Sequence, residues 1–239
     1  MRHIIVKTIS SLFGVAFLTS FAQAQTPQLF ATFSQVGQSP SFSYVAGTSG
    51  ATLGLVSAIP VSFQFQTANG FGAAIGQDID ATMTMSAVSA GNVTSSTSFL
   101  VQSMKDIELR FTSARAAPNS GDLLKMTLST GNLIARAGGQ TARLTGTESS
   151  TSAQFVNFDS DYLNFGESFL LENFSISFTS IAPGVFDAGN GSLSSFNGTA
   201  TGNFGSAPLP TPKNNIPEPA ALVLATLGGL ALARRRKAA

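Results

Sequence analysis

Between Gln25 and Pro210 apolar and polar side chains alternate with a period of two. Clusters of Gly, Pro, Asn and Ser punctuate the alternation about every eight to twelve positions, as in proteins built from short antiparallel strands. The pattern predicts strands at 29–34 and 41–45 on either side of a turn at Gly37 and Pro40, then a loop or weak edge at 47–54. A strand at 61–65 closes on Asn69-Gly70, and the run 80–88 sets Met83 and Met85 against Thr82, Thr84 and Ser86. Strands at 99–104 and 107–112 follow, the second with Ile107, Leu109 and Phe111 inward, before a turn at Pro118-Asn119-Ser120-Gly121. Residues 123–129 and 133–137 read as a hairpin about Thr130-Gly131-Asn132, with a further strand at 141–147. In the last third Phe174, Ile176 and Phe178 alternate with Ser175, Ser177 and Thr179, the mark of a half-buried antiparallel strand. Strands over 193–196 and 199–204 complete the set, and no 3.6-residue apolar stripe competes with them. The expected fold is therefore all-β: one antiparallel β-sandwich, jelly-roll-like, over 25–207, followed by a proline-rich linker over 208–215.

The two ends break the alternation. Residues 1–24 read as a secretory signal peptide: Arg2 and Lys7 give a positive start, 9–21 an interrupted apolar stretch, and Ala22-Gln23-Ala24 a small-residue cleavage site before Gln25. Signal peptidase and the Sec translocon are the partners this implies, and with no Cys in the chain lipoprotein processing is excluded. At the other end Pro217-Glu218-Pro219 precedes the uncharged run 220–233 and the cluster Arg234-Arg235-Arg236-Lys237. Proline fixes φ and biases its predecessor away from helix, so the segment before the run is extended. The run is rich in Leu and Ala and predicts one short transmembrane helix of roughly 21 Å, brief for a permanent anchor. The cationic cluster acts as a stop-transfer signal that keeps the C-terminus cytoplasmic.

This ordered trio over 216–239 resembles the PEP-CTERM sorting signal of Gram-negative bacteria. The resemblance implies recognition by an exosortase, a membrane-embedded cysteine transpeptidase that cuts at or near the motif. It also implies an inner-membrane precursor and a mature form at the cell surface or outside the cell, with a link to exopolysaccharide. The stretch Asp161-Tyr162-Leu163-Asn164-Phe165, followed by the strand through Phe174 and Phe178, is similar to ectodomains found in proteins of that kind.

Composition narrows the chemistry. The formal charge of +1 belongs mostly to the ends: six of the 13 cations lie there, leaving seven against eleven acids and a body of about −4. Such a body offers no basic patch for nucleic acid. The single histidine is His3 and cysteine is absent, so the chain after Ala24 has neither residue. Ser-His-Asp and Cys-His nucleophiles and His- or Cys-based zinc sites are thereby excluded. Trp is absent and Tyr44 and Tyr162 are the only tyrosines, which leaves few rings for sugars to stack on.

Asn157, Asp159 and Asp161 fall at alternate positions, where a strand would point their oxygens to one side, a ligand set suited to Ca²⁺. An EF-hand loop from Asn157 would need glycine sixth and glutamate twelfth, where the chain has Tyr162 and Ser168. A solvated strand face is the plainer expectation for the trio, and for the same-face pair Asp78 and Asp80. Glycoside cleavage would draw its two carboxylates from Asp159, Asp161, Glu167 and Glu172. On the bacterial reading that the resemblance implies, the sequons at Asn92, Asn173 and Asn197 are coincidence in a Ser/Thr-rich chain. The reading is of a non-catalytic, exported, exosortase-processed surface or matrix protein without a cofactor, the alternatives being a carbohydrate- or calcium-binding module and an extracellular hydrolase.

Overall fold

A computed structural model describes residues 26–47, 50–55, 57–66, 76–114, 121–147, 156–166 and 171–213. The signal peptide expected over 1–24 and the segment from 214 onward fall outside these residues. Within them the chain is strand and loop, with no helix. The strands are β1 (Gln28–Gln35), β2 (Phe42–Val45), β3 (Thr52–Leu55), β4 (Ile59–Phe65), β5 (Ile79–Ser89), β6 (Thr94–Ser96) and β7 (Phe99–Ser113). They continue with β8 (Asp122–Arg136), β9 (Ala142–Thr147), β10 (Val156–Asp159), β11 (Leu163–Asn164), β12 (Leu171–Ala182), β13 (Phe196–Ala207) and β14 (Thr211–Pro212).

The antiparallel ladder closes on itself. β1 pairs with β4, β4 with β5, β5 with β7, β7 with β8, β8 with β9, β9 with β12, β12 with β13, and β13 returns to β1. Neighbours round this ring follow one another along the chain, as in an up-and-down barrel, where the jelly-roll expectation calls for Greek-key crossovers. The all-β, antiparallel expectation holds. Opposite walls of the ring share one interior, the packing a two-layer sandwich would also give, and closure removes the exposed edges that sandwiches must protect.

The β2–β3 hairpin is inserted between β1 and β4. It extends the wall: β2 pairs with β13 at Phe196–Gly198, beyond β1's ladder, and β3 with β5 at Ser86–Val88, beyond β4's. The strands expected to flank a turn at Gly37 and Pro40 are therefore not partners of each other; both use the same edge of β13. Residues 52–55, expected as loop or weak edge, form β3 because Gly54 lets the chain lie against Met85, whose carbonyl would be 2.9 Å from a Cβ there.

The expected hairpin at Thr130-Gly131-Asn132 is instead the middle of β8, a single 15-residue strand. Gly131 is there for close approach: a Cβ would lie 2.8 Å from Ile107 Cδ1 and 3.0 Å from the Thr145 carbonyl. Its partner β7 likewise merges two expected strands, with Asp106 at φ 51° marking the irregularity between them.

The interior is aromatic. Phe111 on β7 meets Phe33 (ring centroids 4.9 Å apart), Phe63 (5.1 Å) and Phe204 (5.6 Å), so side chains from opposite walls fill the barrel rather than line a channel. A bulge between Leu29 and Ala31 lets Phe30 also turn in, against Phe158 and Phe165. Inward Gly202 leaves room for Phe33, whose Cε1 would be closer than contact to any added Cβ. Farther along the barrel Tyr44 stacks on Phe196 at 5.2 Å and donates to the buried Gln102 carboxamide at 3.3 Å.

Candidate functional site

Ala22, Ala24 and Gln25, the motif Pro217-Glu218-Pro219 and the cluster Arg234–Lys237 all lie outside the described residues. The structure does show how the chain leaves the barrel towards that motif. Part of the stretch expected as a proline-rich linker over 208–215 docks on the body: Leu163 and Asn164 of β11 pair with Pro212 and Thr211 of β14. Lys213 then donates its N–H to the Tyr162 carbonyl (2.6 Å) and its Nζ to the Ser160 carbonyl (2.8 Å). Buried Ser160 holds this clasp to the wall. Its hydroxyl donates to the Leu123 carbonyl at 2.6 Å and accepts the N–H groups of Tyr162 (3.0 Å) and Leu163 (3.1 Å). Of the prolines that suggested a linker, Pro212 lies in β14 itself, which it fits because a short outer strand does not need every amide.

The calcium trio is only partly assembled. Asn157 and Asp159 share the exposed face of β10, opposite Thr127 and Lys125 of β8. Asp161 lies past the strand's end, and its carboxylate accepts the Asp122 N–H at 2.7 Å while Asp122 accepts Arg110 Nε at 2.6 Å. That ion pair raises the Arg110 guanidinium above its ordinary value, the hydrogen bond contributing most. Among the described residues no three acidic side chains come within metal-binding range of one another. Asp78 accepts hydrogen bonds from Ser62 and Gln64, which lower its carboxyl below the ordinary range. Of the carboxylates considered for hydrolysis, Glu172 sits on the inward face of β12, buried, and Glu167 is outside the described residues.

The outer surface is divided chemically. The wall made by β5, β7, β8 and β10 carries Asp80, Glu108, Arg110, Lys125 and Asp159. Across the ring, the outward positions of β12 (Asn173, Ser175, Ser177, Thr179) and β13 (Thr199, Thr201, Asn203) have hydroxyls and carboxamides and no charge. Arg143 on adjoining β9 is the one charged side chain on the outward face of β9, β12, β13 and β1 among the described residues. A groove of about 280 Å³ runs over this wall, lined by Arg143, Thr145, Asn173, Ser175 and Asn203, with Pro27 and Leu29 as an apolar ledge. Gly205 keeps it open, because a Cβ there would collide with the Asn173 carboxamide. Arg143 Nε donates to Ser175 Oγ at 2.6 Å, fixing the plane of the guanidinium.

Sequence reasoning missed this groove. The alternation of Ser, Thr and Asn along 173–179 and 199–203 was the available signal, but only the register of β9, β12 and β13 brings Arg143 beside it.

Residues 215–237 match the protein family described as the PEP-CTERM protein-sorting motif. The chain thus carries a PEP-CTERM sorting motif at its C-terminal end, which marks an exported protein targeted to an exosortase. No curated protein and no solved structure matches the chain.

Proposed function

We propose that this is a non-catalytic component of the cell surface or extracellular matrix, exported through the Sec translocon, freed from its leader by signal peptidase, and held in the inner membrane until an exosortase removes its tail. The observation that carries this reading is the match at 215–237, where the tripeptide, apolar run and basic cluster occur in order. The β-barrel body is the cargo, and its lack of disulfides leaves the aromatic interior to hold it together outside the cell. Association with exopolysaccharide is the role such a cargo would serve.

Glu218→Ala tests it. Export and membrane insertion use no carboxylate at this position, so the variant should reach the membrane and accumulate uncut. Truncating 234–237 should instead let the precursor slip, because nothing then opposes passage of the apolar run. Intact-mass measurement of the mature C-terminus in a host with and without the exosortase reads both. Maturation of Glu218→Ala at the ordinary rate would reduce the motif to a linker.

A second reading, a carbohydrate-binding module, is favoured by the hydroxyl- and carboxamide-rich wall. Such groups pair with sugar hydroxyls as both donors and acceptors.

A further inference from the structure

We propose that the groove on the β9–β12–β13–β1 wall binds a uronic-acid unit of an acidic polysaccharide. The proposal rests on the matrix reading above and names the ligand class for it. The groove sets three kinds of group side by side. Arg143 is clamped by Ser175, so its two terminal nitrogens form a planar fork, the geometry that takes a carboxylate through two parallel hydrogen bonds. Asn173 and Asn203 flank it with carboxamides, which both donate and accept, as vicinal hydroxyls require. Leu29, an exposed large apolar side chain, forms with Pro27 a ledge for the C–H face of a ring.

Charge decides between sugar classes. One cation on an otherwise uncharged wall gives a carboxylate-bearing unit an attraction, and a paired hydrogen bond to the guanidinium, that a neutral sugar lacks. An acidic peptide would satisfy Arg143 as well, but its backbone presents few hydroxyls to two carboxamides. At about 280 Å³ the groove is at the small end of ligand sites, so it holds a short piece of a chain that continues over the flat wall on either side. Repeated weak engagement along a polymer would then give retention through multivalency.

The test uses the full chain purified in detergent, titrated calorimetrically and by affinity electrophoresis against polygalacturonate and alginate, with dextran and poly-glutamate as comparisons. Binding to at least one polyuronate, and weaker binding to dextran and poly-glutamate, is expected. Arg143→Ala should weaken it about ten- to a hundredfold, the range for a lost charge-assisted pair. Arg143→Lys should recover only part of that, since it restores charge but not the fork. Asn203→Ala should weaken it severalfold, and Lys125→Ala, on the opposite wall, should leave it unchanged. Binding to neither polyuronate, equal binding to dextran or to poly-glutamate, or full affinity in a folded Arg143→Ala protein would overturn the proposal. The assay needs no sorting, so a failure here and a failure of the Glu218→Ala experiment are separate outcomes.

Discussion

Tyr44 shows what one residue contributes here. Its ring stacks on Phe196 and its hydroxyl is buried against Gln102. Burial pushes the phenol up to about 12, only partly offset by a hydrogen bond with the Leu193 main chain. An unfolded tyrosine ionises near 10, so the native state holds its proton over a window in which the unfolded state has released it. Stability from this group is therefore complete below about pH 10 and is lost as pH rises towards 12, by up to ~2–3 kcal/mol. Urea unfolding between about pH 8 and 11.5 should show that fall. Tyr44→Phe should cost about 1 kcal/mol near neutrality and flatten the alkaline slope. An unchanged slope would place Tyr44 outside the alkaline transition. The sequence marked Tyr44 only as one of two tyrosines; its burial depends on β2 lying against β13, a pairing between residues some 150 positions apart.

At the scale of elements, alternation made the strands legible and pairing did not. The faces of β5, β7 and β12 are those the pattern predicts, because a strand with one wet and one dry side must alternate. Gly131 misled because glycine signals a turn by its own conformational freedom, whereas here it serves the packing of Ile107 and Leu128 around it. Pro208, Pro210 and Pro212 gave no sign of the docking at Thr211 and Pro212, since a proline-rich segment looks the same free or docked. Ser160 is the test of that docking. Replacing it with Ala leaves the Leu123 carbonyl and two amides without the hydroxyl that joins them, at about 1–3 kcal/mol. Hydrogen exchange should find the Lys213 amide less protected in Ser160→Ala, with the β7–β8 ladder much less affected. Equal loss in both places would mean that the clasp does not open apart from the barrel.

For the whole molecule, a closed ladder predicts cooperative unfolding. Each strand of the ring has two neighbours, so none can leave without exposing the shared aromatic interior. Far-ultraviolet circular dichroism and near-ultraviolet tyrosine signals should melt together; separated transitions would argue for two independent sheets. The sorting signal was fully legible in the sequence because its trio is local. The groove was not, because Arg143, Asn173 and Asn203 meet only through non-local register.

The clasp also works as a ruler. With Lys213 fastened to the barrel, only three residues separate it from Pro217, and four extended steps reach at most about 14 Å. Anything that reads Pro217-Glu218-Pro219 while the clasp is shut meets the folded body at close quarters, with little slack to turn it. The barrel end where β1 begins and β14 finishes must then face the reader, the loops between β12 and β13 point away, and the wall bearing Arg143 stands side-on. A tail this short sets orientation as well as address.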